Sequence, residues 1–123
     1  MSNVSYDLRD DHDVDSIYAP VQTPLFETDL EYKFNEDELI TQFKDYVDST
    51  YSQHYASDKY QATDIIIDAG LGTGFCLGNV IKYAKRYGNK GGNDDHRKDL
   101  MKVLHYALIQ LHIHDEKVKL ESQ

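Results

Sequence analysis

The chain has 123 residues, with 13 Lys plus Arg set against 22 Asp plus Glu, for a net charge of −9. That length suggests a single domain with a modest core, and that charge excludes a general nucleic-acid binder, which needs a broadly basic surface. A lone cysteine, Cys76, excludes an internal disulfide framework and a Cys-based zinc site, and no apolar run approaches the length of a membrane span.

The charge is uneven. Residues 1–60 hold 14 acids and 4 bases, whereas residues 61–123 hold 8 acids and 9 bases. Residues 1–34 have no helical apolar period and contain both prolines, Pro20 and Pro24. They are expected to form an extended, partly disordered acidic arm, with 35–123 as the helical domain. Within the arm, Ile17, Tyr18, Val21, Leu25 and Phe26 are too apolar for a purely solvating tail. They are expected to dock on the domain or on a neighbouring copy.

The first helix is expected over 36–50. Asn35 and Glu38 have capping-box spacing, and Leu39, Ile40, Phe43, Tyr46 and Val47 recur at three- and four-residue intervals. Next comes "DKYQATDIIIDAGLGTG", whose end spells the glycine signature of a nucleotide-binding methyltransferase. Only 49 residues follow Gly74, too few for the further strand–helix units such a fold requires. The alternative is a helix with Ala62, Ile66 and Ala69 lining one face beside Ile65, stopped by Gly70. Gly70 to Gly78 then form an elbow that lets two helices approach closely.

In "FCLGNVIKYAKRYG", Leu77, Val80, Ile81 and Ala84 line one side of a helix that stops at Gly88. "NKGGNDD" reads as a turn. From His96 onward, Leu100, Leu104, Ala107, Leu108 and Leu111 mark the clearest helix of the chain. The expected fold is therefore all-α, a small bundle of about four helices.

Three groups of side chains carry possible chemistry. Lys82 and Arg86 share a helix face, Lys90 lies just beyond its end, and Lys102 can approach from the next helix. Together they suit a phosphate, with Arg as a two-pronged donor and Lys as a mobile charge. The competing reading is that they pair with Asp94, Asp95 and Asp99. Phe75, Tyr83, Tyr87 and Tyr106 offer faces on which a base can stack, while Asn79 or Gln61 reads its edge; tyrosines at this spacing equally suit a core. His54, followed by Tyr55, is a candidate ligand or catalytic group. His105 and His112 are roughly co-facial but lack a further ligand at suitable spacing, so no protein-bound metal is expected.

"QHY", "YQATDIIIDAGLGTGFCLGNVIKYAKRYGNKGG" and "RKDLMKVLHYAL" together resemble a small phage-encoded family of unknown function, over about residues 53–111. The specific part is Gly78-Asn79-Val80-Ile81-Lys82-Tyr83 with Arg86 and Lys90. One member is the T-odd coliphage nucleotide kinase, which lacks recognised kinase motifs. Gln61 departs from the pattern, which often has an acid there, and the acidic arm is no part of it.

The resemblance implies a nucleotide ligand, self-association and a place in the cytoplasm of an infected bacterial host. It matches His54, Tyr55, Asp64, Asn79, Lys82, Arg86, Lys90, Asp99 and Lys102. On that footing Lys82, Arg86, Lys90 and Lys102 hold phosphates, and Tyr55, Gln61, Phe75, Asn79 and Tyr83 surround the base. His54, Asp64 and Asp99 are the catalytic candidates. Magnesium is implied with a nucleoside triphosphate if the protein is a kinase. The alternatives are a non-catalytic protein that sequesters a nucleotide, such as a cyclic defence signal, and a structural protein that meets a host partner.

Overall fold

The computed structural model describes residues 30–52 and 59–122, with backbone only for 59–61. The chain divides into two units, Met1–Tyr32 and Lys33–Gln123, and the described helices all belong to the second. Most of the expected arm, residues 1–29, lies outside the described residues, as do His54 and Tyr55. The described residues form four helices and no strand: α1 (Glu36–Ser52), α2 (Lys59–Asp68), α3 (Gly72–Arg86) and α4 (Asn93–Glu121). The protein is all-α, and no described helix is long and apolar enough to cross a membrane.

Each helix boundary has a local cause. Glu36, Asp37 and Glu38 place negative charge on the first turn of α1, where the helix dipole favours it. The expected box between Asn35 and Glu38 does not form. Asn35 instead adopts a left-handed φ of 60° and accepts the Leu39 N–H through its backbone carbonyl. The Glu38 carboxylate accepts from Gln42 one turn later.

The isoleucine run is helical, and its end satisfies the backbone. With Gly70 at φ 82°, the Leu71 N–H reaches the Ile66 carbonyl and the Gly70 N–H reaches that of Ile67. This is the Schellman arrangement, which a glycine makes inexpensive. "DAGLGTG" is thus a helix end, a turn and the start of α3. A strand is ruled out there, and the methyltransferase signature with it. At the elbow Gly72 is buried, and a Cβ there would stand 2.9 Å from Ile113 Cδ1 and 3.1 Å from Ile67 Cγ1. The absent side chain lets α2, α3 and the far end of α4 meet.

α3 and α4 run antiparallel, as their cross-pairs show: Arg86 meets Asp99, Tyr83 meets Lys102 and Tyr106, and Gln110 donates to Thr73. α4 begins three residues earlier than its apolar period suggested. Asn93, Asp94 and Asp95 form its first turn, where the Asp95 carboxylate accepts the Gly92 N–H at 3.1 Å. α1 is attached to α4 through Phe43 and Tyr46, both edge-on to His105, and through a hydrogen bond from Arg97 to Gln42.

The buried face differs from the expected one on three helices. Cys76 and Tyr83 of α3 and Asp99 and Met101 of α4 point inward. Leu77, Ile81, Leu100, Leu104, Leu108 and Leu111, expected in the core, are each between 45% and 67% exposed. On α2, Thr63 is buried while Ile65 faces outward. Apart from Met101, the inward residues are small or carry polar tips, so a reading that ranks positions by aliphatic character selects the neighbouring stripe.

Candidate functional site on the hairpin of α3 and α4

The seam between α3 and α4 is lined by aromatic rings. Phe75 meets Tyr106 edge-on at 5.7 Å, and Tyr106 stacks on Tyr83 at 6.1 Å with the planes 6° apart. A negative ring face attracts cations. Two converge on Tyr83: Lys82 Nζ lies 5.0 Å from its centroid and Lys102 Nζ 5.5 Å. The two ammonium groups come from different helices and repel each other, which makes their shared surroundings favourable for an anion.

One turn beyond Lys82 on α3 stands Arg86. Its Nε is 3.4 Å from Oδ1 of Asp99, a residue only 2% exposed. Arg86 Nε and Asp99 Oδ2 are buried without a hydrogen-bond partner. The guanidinium is large enough to face Asp99 through Nε and an incoming oxyanion through its two terminal nitrogens. Lys82, Arg86 and Lys102 with Asp99 leave a local balance of three cations to one carboxylate. The seam is therefore basic within an acidic chain.

The structure thus brings together Phe75, Lys82, Tyr83, Arg86, Asp99 and Lys102. Asn79 belongs to the same helix, but its amide donates to the Phe75 carbonyl at 2.9 Å, leaving its oxygen as the group available to a base edge. Lys90 sits in the turn after α3, exposed, and no described contact draws it to Tyr83. Gln61 lies on α2, with its side chain outside the described residues. The pairing of the basic set with aspartates, the competing expectation from sequence, holds for Arg86 with Asp99.

Asp64 is placed elsewhere. It borders a cleft of about 700 Å³ between α1, α2 and α4, with Tyr51, Thr63, His105, Ile109 and His112. Asp64 and Asp99 therefore do not form one carboxylate pair. The cleft itself is not foreseen by the sequence pattern. Its one legible signal is the co-facial spacing of His105 and His112.

Burial pushes the Cys76 thiol upward from its usual range, so this seam residue stays protonated and acts as a small apolar filler.

Residues 49–108 match a family model described as a protein of unknown function (DUF3310). No curated protein and no solved structure matches the chain. The stretch similar to that family model carries Lys82, Tyr83, Arg86, Asp99, Lys102 and Tyr106.

Proposed function

We propose that this protein binds nucleotides and acts as a nucleoside-monophosphate kinase, in keeping with the phage family that its motifs resemble. The observation that carries the reading is the convergence of Lys82 and Lys102 on Tyr83, with Arg86 one turn away. Phosphoryl transfer asks little covalent chemistry of a protein and depends on positioning and charge stabilisation. A phosphate oxygen of the monophosphate attacks the γ-phosphorus of a triphosphate, the bond to the bridging oxygen breaks, and two diphosphates leave. Lys82, Lys102 and Arg86 would neutralise the charge spread over the transferring group. Magnesium enters as part of the triphosphate substrate. Asp99 is buried against Arg86 and Asp64 borders the separate cleft, so neither aspartate is assigned to that magnesium. His54 and Tyr55 enter this reading only through their place in the motif.

The burial of Asp99 favours a second reading, in which the same seam holds a nucleotide without turnover. Here Asp99 fixes Arg86 in place and takes no part in chemistry. A single experiment separates the two. The purified chain is screened by thermal shift against nucleoside mono-, di-, tri- and cyclic phosphates, with turnover followed by chromatography. A ligand bound only by the folded state at 100 times its Kd adds about 2.7 kcal/mol of stability. A shift with diphosphate product supports the kinase, and a shift without product supports sequestration. No shift with any nucleotide removes both and leaves a structural role towards a host protein.

A further inference from the structure

We propose that the cleft between α1, α2 and α4 binds an aliphatic polyamine, with Asp64 and Asp68 holding its ammonium groups and an apolar wall covering its methylenes.

The reasoning starts on α2. Asp64 and Asp68 stand four residues apart on this helix and both border the cleft. At that spacing their Cβ atoms are about 5–6 Å apart on one face, where like charges repel. Asp68 is also the last residue of α2, where the helix dipole already places partial negative charge, and the last turn contains no base. Neither carboxylate has a hydrogen bond or an ion pair with any described residue. The pair therefore opposes the helix on which it stands. A local rule broken without internal compensation is expected where a protein binds something.

The cleft supplies the remaining features. Its volume of about 700 Å³ falls within the ~300–1,000 Å³ of small-molecule sites. Val47 of α1, Ile67 of α2, and Leu108 and Ile109 of α4 form an apolar wall on which methylene groups can shed water. His112, also on α4, carries a ring nitrogen that can accept a further N–H when the imidazole is neutral. Among the described residues no lysine or arginine lines the cleft, so a phosphate finds no cationic partner there. A bare metal ion is no better served. No three His, Cys, Asp or Glu side chains among the described residues come together as metal ligands. An ammonium group needs no closed shell; it donates up to three hydrogen bonds to whatever acceptors it meets. Ammonium groups separated by three or four methylenes span roughly one helical turn, ~5.4 Å, which is the separation of the two aspartates along α2. The inference does not depend on the nucleotide reading, since Lys82, Arg86 and Lys102 do not line this cleft.

The test is calorimetric titration of the full chain with spermidine at about 0.15 M salt, where loose attraction between exposed charges is screened. Thermal melting of each variant without ligand checks its folding. Saturable binding is expected in the wild type. Asp64→Asn and Asp68→Asn should each weaken it on the order of ten-fold or more, the loss of a hydrogen bond to a charged group. Neither variant should melt below the wild type, and Asp68→Asn should melt slightly higher, because a repulsion is removed. Asp45→Asn/Asp94→Asn removes two exposed carboxylates outside the cleft and should leave spermidine affinity unchanged. Methylammonium, which has one charge and no chain to lay on the apolar wall, should bind on the order of 100-fold more weakly. Absence of saturable binding at millimolar spermidine overturns the proposal. So does an equal loss in the control pair and in Asp64→Asn/Asp68→Asn, which would reveal only the general attraction of a cation to an acidic chain. Methylammonium that binds as tightly as spermidine overturns it as well.

Discussion

Replacing Arg86 by alanine should lower both stability and nucleotide affinity, and a second substitution should separate the two losses. The sequence pattern puts Arg86 on a phosphate and assigns helix stability to Leu77, Val80, Ile81 and Ala84, which predicts little change in melting. The structure instead puts Arg86 Nε 3.4 Å from a carboxylate whose side chain is 3% exposed. Removing one member of a buried pair typically costs 3–5 kcal/mol, because the other charge is stranded. Arg86 is 40% exposed and the contact is long, so solvent screening brings the expected loss down to about 2 kcal/mol. In a helical body of this size that corresponds to a fall in Tm of roughly 8–16 °C. Arg86→Ala/Asp99→Asn removes the stranded charge and should recover most of the melting temperature, yet leave nucleotide affinity about 1.5–3 kcal/mol weaker. Arg86→Lys should keep much of the stability and still bind less well, since a point charge cannot fork onto two oxygens. Calorimetric melting and titration of a nucleoside diphosphate, on the same four proteins, provide the numbers. If Arg86→Ala melts within about 2 °C of wild type, the reasoning from the buried pair is refuted. Unchanged affinity in a folded Arg86→Ala protein removes the phosphate site.

The glycines of the elbow should divide sharply. Gly72→Ala drives a methyl group into Ile113 and Ile67 and should cost about 1–3 kcal/mol in chemical denaturation, whereas Gly74→Ala, inside α3 with open space around it, should stabilise by about 0.5–1 kcal/mol. Cys76 should react with a thiol reagent only as fast as the hairpin opens, so its labelling rate should rise steeply with denaturant; rapid labelling of the native protein would contradict its burial. Its thiol is raised on folding, so the folded state holds the proton longer. The associated stability is complete below the unfolded thiol range, ~8.5, and falls as pH rises through the folded value, which alkaline melting curves can follow.

The elements are legible in the sequence because their punctuation is local. Gly70 and the turn around Gly88–Gly91 mark where the chain must reverse. The inward faces are not legible. Tyr83, Asp99, Thr63 and Cys76 occupy positions that hydropathy ranks below the leucines beside them, and only the opposing helix decides which stripe is covered. An exposed leucine stripe is, in a single sequence, indistinguishable from a core. The convergence of Lys82 and Lys102 is partly legible: the i,i+4 relation of Lys82 and Arg86 follows from spacing, but the register bringing Lys102 onto Tyr83 is a property of the hairpin. Asp64 goes to a separate cleft because α2 turns away at Gly70, a direction that no spacing rule encodes.

The slender attachment of α1 has a consequence for how the molecule breathes. α1 has no buried residue and is held to α4 by Phe43, Tyr46 and the link between Gln42 and Arg97. Amide hydrogens of α3 and α4 around Cys76, Tyr83 and Met101 should therefore exchange only when the whole body opens, whereas those of α1 should exchange through a smaller, separate opening. The wall of the cleft that Val47 and Tyr51 provide would then be absent for part of the time, while the seam with Lys82 and Arg86 stays intact. A ligand that bridges α1 and α4 would slow exchange in α1 selectively, marking its position on the protein without any structure of the complex.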